Sequence, residues 1–309
     1  GNLKHQYSLI QSLFPNEVPY KRNLINVANL DIETESTTFP DNENPTNAII
    51  LLQYKSSLSD TFQIWGLKPF DPDASSLVKE HNYKVDYRQF DTEADMIMDF
   101  LSFWEEEMPD VLTGWNTEFF DIPYIIARFG RVVGDEVLRL SPWRKFDKRT
   151  ANIFGEQKTT YQISGIQALD YLALFKKFTL NTLGQQESYK LDFIAGVVLN
   201  ESKVAYDGTL QELYDNDFDK FVEYGIVDVD LIDRFEQELG LITLALSLAY
   251  RGGVNYTDTL GTTAIWDCII FRKLMQSNTI VPNNKTGETR KYEGAYVKEV
   301  QTGMHDWVV

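Results

Sequence analysis

"NVANLDIETES", residues 26–36, decides the fold. Together with the two residues before it, the stretch alternates. Ile25, Val27, Asn29, Asp31 and Glu33 fall on one face, and Leu24, Ala28, Leu30 and Ile32 on the other. This is the pattern of a β-strand with one face in the core. The other face carries two carboxylates. In a strand, residues i and i+2 point the same way, about 6.6 Å apart at roughly 3.3 Å rise per residue. Carboxylates are depleted from strands, and a buried unpaired one is costly. Two on one face repel each other unless cations lie between them. Asp31 and Glu33 are therefore a candidate metal pair, with a solvated edge strand as the competing reading. The spacing alone does not choose, because Asp-x-Glu also occurs at Asp41–Glu43 and Asp91–Glu93, where loop or capping roles suffice.

Downstream, "TTFPDNENPTN" (37–47) is loop. "AIILLQY", "TFQIWGL" and "KVDYRQF" read as further strands, and the absence of long helices between them predicts antiparallel neighbours. At Thr92 the period changes. Met96, Ile97, Phe100, Leu101 and Trp104 recur at helical spacing, and Thr92 with Asp95 forms a candidate cap. "DVLTGW" is another strand, and "DIPYIIARFG" a short helix ending at Gly130. A hairpin is expected around 151–165 with its turn near Gly155, followed by strand and helix in "ALDYLALFKKF". A long amphipathic helix covers 217–240, and a further helix lies near 261–277. The pattern is α/β, with an early antiparallel set of strands and then strands alternating with helices.

Composition narrows the function. The chain has 309 residues, 43% of them hydrophobic, enough for a sizeable core. The longest apolar run, "LITLALSLAY" (241–250), is half a membrane span and reads as a buried helix. The start lacks the layout of a signal peptide. A single cysteine, Cys268, forbids a disulfide within the chain and fits a reducing cytosol. The net charge of −17 argues against non-specific nucleic-acid binding; it fits either an ordinary soluble acidic protein or an acidic site that needs cations to approach a polyanion. One basic band runs against this balance, from Arg128 through Arg131, Arg139, Arg144, Lys145, Lys148, Arg149, Lys158 and Lys176 to Lys177. It is either a track for a phosphate backbone or a solvated face.

Two more acidic positions join the first pair. Asp121, in "NTEFFDIPY" (116–124), follows a strand and opens a helix, where α/β sites form and where capping also favours Asp. Tyr224 and Asp228 stand four apart on one helix face, as do many unrelated pairs. Their order is more specific than any one of them. Asp-x-Glu on a strand, Asn-x-x-x-Phe-Asp after a strand and Tyr-x-x-x-Asp on a helix resemble, in that sequence, the three exonuclease motifs of proofreading DNA polymerases. "VANLDIETES", "PDVLTGWNTEFFDIPYIIAR", "SYKLDFIAGVVLN" and "EGAYVKE" extend the resemblance over almost the whole chain, to the family B replicative DNA polymerases of T-even-type phages.

This resemblance implies a ribonuclease H-like 3′→5′ exonuclease fold, a mixed sheet flanked by helices with an inserted β-hairpin near 152–163. It implies Asp31, Glu33, Asp121 and Asp228 as ligands of two divalent cations, Mg²⁺ or Mn²⁺. Tyr224 orients the attacking water, and Asn116 and Phe120 flank the terminal nucleotides of the substrate. The donor set agrees, since His5, His81 and His305 are away from the motifs and carboxylates select hard cations over Zn²⁺. Asp31 would bridge the ions, Glu33 and Asp228 would hold the one that binds water, and Asp121 would serve the second. The expected partners are a DNA 3′ end, single strands preferred, and the remainder of a polymerase, in the cytoplasm of an infected host cell. Residues 1–240 would form the exonuclease core and 241–309 a mostly helical extension leading toward a polymerase palm. The family's Ser-Leu-Tyr-Pro-Ser stretch does not follow "EGAYVKE", so no polymerase site is expected in this chain, whether it is an excised domain or the product of a split gene. Two other functions compete: an RNA-trimming exonuclease with the same carboxylates, and a non-catalytic module that binds DNA or a partner. Comparing DNA with RNA oligomers separates the first, and metal-dependent nucleotide release separates the second.

Overall fold

A computed structural model describes residues 5–16, 18–35, 40–153, 156–201 and 208–280. The strands are β1 (Val27–Thr34), β2 (Ile49–Ser56), β3 (Thr61–Gly66), β4 (Lys84–Gln89), β5 (Val111–Thr113), β6 (Phe146–Ile153), β7 (Glu156–Ile163) and β8 (Gln167–Ala168). The helices are α1 (His5–Leu13), α2 (Ser76–His81), α3 (Glu93–Glu107), α4 (Asp121–Val133), α5 (Tyr171–Phe178), α6 (Leu180–Leu183), α7 (Leu191–Leu199), α8 (Leu210–Asn216), α9 (Phe218–Leu239), α10 (Leu241–Gly252) and α11 (Thr263–Gln276).

Six strands form one mixed sheet in the order β4-β3-β2-β1-β5-β8. The strand that carries the carboxylates is therefore central rather than an edge. One of its faces, Ala28, Leu30 and Ile32, packs with Phe100, Trp104 and Ile122 from α3 and α4. Its other face lies under α9, where Val27 packs with Leu231, Ile232 and Phe235. The sheet is thus sandwiched between helices, as the mixed-sheet exonuclease fold requires. The hydrophobic residues expected on α3 are all buried, and the Thr92 side chain accepts the Asp95 N–H at its start. At its own start, α9 is capped by Asp217, which accepts the Lys220 N–H. It ends at Gly240, whose φ of 62° favours glycine.

Three expectations need correction. β3 and β4 are parallel, not antiparallel. The segment between them contains α2, which carries the chain back across the sheet, so the absence of a long helix is no guide to direction here. Gly130 does not end α4, which continues to Val133; Gly134, at φ 62°, follows its end. The hairpin starts earlier than its turn signals suggest. β6 and β7 pair antiparallel from Phe146↔Ile163 to Ile153↔Glu156, and the expected turn residue Gly155 lies outside the described residues, as does "EGAYVKE".

Much of the basic band is committed within the protein. Arg128 binds Glu93 at 2.6 Å and the Pro45 and Thr46 carbonyls. Arg139 and Arg144 both bind Glu105 at 2.6 Å, and Lys145 pairs with Asp147. The side chains of Arg128 and Arg139 hold elements together rather than line a phosphate track. No helix among the described residues is long and apolar enough to cross a membrane.

Candidate metal centre and active site

β1 and α9 build the centre. One carboxylate oxygen each from Asp31, Glu33 and Asp228 lie within 4.8 Å of one another, and all three residues are half-buried. Asp31 and Glu33 come together by strand alternation. Asp228 reaches them because α9 is seated on the same sheet face. Three contacts fix that seating. The Asn29 side-chain amide donates to the Val229 carbonyl at 2.8 Å. Lys55, on β2, pairs with Asp233 at 2.5 Å. Gly225 lets the helix lie against β2, since a Cβ there would overlap the carboxamide of Gln53. Tyr224, beside Gly225, is half-buried and packs with the apolar residues under α9.

Asp121 is placed differently. It opens α4 as the sequence predicts, but it is buried at 3% exposure and does not join the three clustered carboxylates. β5 pairs with β1 only at Val27–Asn29. Farther along β1, the Ile32 backbone N–H bonds the Asp121 carboxylate. Asp121 thus lies beside β1, at the edge that faces β5, next to the strand segment that presents Asp31 and Glu33. Burial pushes its carboxyl up to about 7, against the pull of the backbone N–H bonds and with a further push from the charge of Asp170.

Between β5 and α4 runs the loop that carries Asn116 and Phe120. Asn116 is exposed, with a φ of 65° that Asn tolerates better than most residues. Phe120 is half-buried and stacks on Tyr124, with ring centroids 6.0 Å apart. Asp170 holds this loop and escaped the sequence reading. Its carboxylate accepts the N–H of Glu118 at 3.0 Å and of Ala173 at 3.1 Å, with the N–H groups of Asn116 and Leu172 also directed at it. The hairpin reaches the same loop, where Thr160 donates to the Glu118 carbonyl at 3.0 Å. The one local signal for Asp170 is an Asp just before the helical "YLALFKKF", a position that helix capping alone accounts for.

The donor set fits hard divalent cations: three carboxylates converge, and no His or Cys joins them among the described residues. An acidic cluster on a central strand and the helix packed over it, within a mixed sheet flanked by helices, defines the class: a ribonuclease H-like, metal-dependent nuclease. The comparisons identify the family. The family model for the exonuclease domain of DNA polymerase family B matches residues 4–194, and the chain belongs to that family as a 3′→5′ exonuclease domain, a hydrolytic nuclease. The chain is 31% identical to the DNA-directed DNA polymerase of Escherichia phage RB69, over 95% of this chain and 34% of that protein. It is 30% identical to the DNA-directed DNA polymerase of Enterobacteria phage T4, over 94% of this chain and 34% of that one. The DNA polymerase delta catalytic subunit of Candida albicans is 26% identical, over 69% of this chain and 22% of its own length. The chain thus spans about a third of the length of the phage relatives. Divalent metal use is a property of this domain family.

Proposed function

We propose that this chain removes nucleotides one at a time from a DNA 3′ end, as the proofreading part of a replicative polymerase acting in the cytoplasm of an infected cell. The observation that carries the reading is the meeting of Asp31, Glu33 and Asp228 within 4.8 Å on a central strand and the helix above it. These carboxylates, with Asp121 at the β5-side edge of β1, would hold two divalent cations, Mg²⁺ or Mn²⁺. Bound there, the cations supply an activated water and stabilise charge on the leaving 3′ oxygen. Tyr224 orients the water by a hydrogen bond, its phenol serving as a donor rather than as the base. Phe120 offers a ring against the terminal base, and Asn116 an amide to the backbone at the 3′ end. Single strands are the preferred substrate, because their end needs no separation. The proposed division into a core of 1–240 and a mostly helical extension of 241–309, of which 281–309 lie outside the described residues, is one of function rather than packing, since Leu241, Ile242, Ala245 and Leu246 belong to the same apolar cluster as Val27.

End-labelled single-stranded DNA and RNA of one sequence, incubated with Mg²⁺ and then with EDTA, test this. Stepwise release of deoxynucleoside monophosphates from the DNA, abolished by EDTA, is the expected result. Preferred cleavage of the RNA would transfer the reading to an RNA-trimming enzyme. Internal fragments, or release that persists in EDTA, would overturn it.

A further inference from the structure

Gln53 is 1% exposed, and neither polar atom of its carboxamide has a hydrogen-bond partner among the described residues. Buried polar groups are paired in the great majority of cases, so an orphan beside a functional site calls for a reason. Its position supplies one. Gln53 stands directly opposite Asp31 in the β1–β2 register, which puts the two side chains on the same sheet face, roughly 5 Å apart at Cβ. The face is the one covered by α9, and the carboxamide lies against Gly225, next to Tyr224 and three residues before Asp228. The other neighbours on that face offer it little. Leu51 and Ile64 are apolar, and Lys55 is committed to Asp233. Across the strand pair, Asp31 is the polar side chain in direct register with it.

We propose that Gln53 is a positioning residue of the metal centre, whose carboxamide N–H bonds the Asp31 carboxylate in the cation-loaded protein and holds it in its ligating orientation. The proposal rests on the reading of Asp31, Glu33 and Asp228 as cation ligands. The carboxamide then gains its partner only when the site is filled. Ligating carboxylates are commonly oriented in this way by a second group, and loss of such a group costs on the order of tenfold or more in metal affinity.

The test is a Mn²⁺ titration by calorimetry, without DNA, of the wild-type chain and of Gln53→Met, Gln53→Leu and Asp228→Ala. It is paired with melting in EDTA and with the side-chain NH₂ signals of Gln53 in ¹⁵N NMR, assigned by their loss in Gln53→Met. Gln53→Met is expected to bind Mn²⁺ on the order of tenfold more weakly, at unchanged stoichiometry, without melting earlier in EDTA. Gln53→Leu guards against a fold defect peculiar to Met. The Gln53 signals should move when Mg²⁺ is added to the wild type and stay in place in Asp228→Ala. If Gln53→Met and Gln53→Leu bind within twofold of wild type while Asp228→Ala does not, the positioning role is wrong and the ligand reading stands. If both variants melt earlier in proportion to their lost affinity, the carboxamide serves the fold alone and the proposal falls. If Asp228→Ala binds as the wild type does, the ligand reading is itself wrong and Gln53 falls with it.

Discussion

The Asp170 carboxylate accepts the backbone N–H of Glu118 at 3.0 Å, which ties the start of α5 to the loop that carries Asn116 and Phe120. Asp170 is buried, and burial pushes its carboxyl above the usual range while four backbone N–H groups pull it back. Asp170→Asn keeps one acceptor oxygen but turns an NH₂ group toward N–H donors. Leaving a buried donor unsatisfied costs about 1–3 kcal/mol. The unfolding free energy of Asp170→Asn from urea titration should fall by that amount, and kcat/KM on single-stranded DNA should drop at least about tenfold as the loop loosens, since about 1.4 kcal/mol corresponds to a factor of ten. Mn²⁺ binding by the three clustered carboxylates should stay within about twofold. Equal losses in all three measurements would mean that Asp170 supports the whole domain, not this loop.

Asp31→Ala and Asp228→Ala should each abolish nucleotide release while leaving the fold intact. The three carboxylates lie within 4.8 Å, so without cations they repel one another. Removing one relieves that repulsion. The melting temperature in EDTA should stay level or rise, and the stabilisation by added Mg²⁺ seen for the wild type should shrink. Tyr224→Phe removes only a hydroxyl and should retain residual activity. A loss as complete as for Asp31→Ala would give Tyr224 a larger part than orienting water.

These residues differ in how far the sequence alone exposes them. Asp31 and Glu33 are legible because strand alternation is local, and Tyr224 with Asp228 because helix spacing is local. Their convergence came from the order of motifs, not from any spacing, since seating α9 on β1 depends on Asn29, Lys55 and Gly225 meeting partners far away in the chain. Gln53 and Asp170 were invisible for the same reason. Gln53 acquires meaning only through its register with Asp31, and Asp170 only through a loop 52 residues earlier that folds back on it. The parallel pairing of β3 and β4 was misread because direction is set by the path of the connection. The end of α4 was misread because Gly130 and Gly134 offer the same local signal, and only the packing of Val132 and Val133 against the core extends the helix past the first.

Gly225→Ala isolates the seating of α9. The added methyl would overlap the Gln53 carboxamide, so the helix or the side chain must shift. Overpacking of this kind costs about 1–3 kcal/mol, and the shift carries Tyr224 and Asp228 away from β1. Gly196→Ala, in α7, is the matched control, because its methyl would meet nothing closer than the Glu201 carbonyl at 3.7 Å. It should be neutral or stabilising by up to about 1 kcal/mol. Urea unfolding and the rate of nucleotide release should both fall for Gly225→Ala and neither for Gly196→Ala.

The pH dependence of the metal-free protein follows from Asp121. Its folded carboxyl is raised from 3.8 to about 7, chiefly by burial. A raised acid binds its proton more tightly folded than unfolded. The stability it contributes is full below its unfolded value and is lost as pH rises through the folded one. In EDTA, melting should therefore occur earlier at pH 8 than at pH 5, and Asp121→Asn should flatten that slope. Cation binding needs the ionised carboxylates, so Mg²⁺ should bind more tightly toward pH 8 and reverse the trend there. A wild-type melting temperature in EDTA that rises from pH 5 to 8 would contradict the placement of Asp121 as an acid raised chiefly by burial.

The hairpin is tied to the site through Thr160, whose hydroxyl donates to the Glu118 carbonyl at 3.0 Å in the loop between β5 and α4. A single-stranded 3′ end enters the site directly. A paired end must first fray, at about 1.4 kcal/mol per base-pair step. If the hairpin keeps the separated strands apart, holding it rigidly beside the loop would offset part of that cost, and letting it swing free would not. Thr160→Val keeps the shape and removes the hydrogen bond, worth about 1 kcal/mol or roughly a fivefold effect. Single-strand cleavage should stay within about twofold, while cleavage of a fully paired end slows several-fold, so the ratio of the two rates is the quantity to measure. If both rates fall together, Thr160 holds the Asn116–Phe120 loop for every substrate. If neither falls, the ends separate by fraying alone and the hairpin takes no part in strand separation.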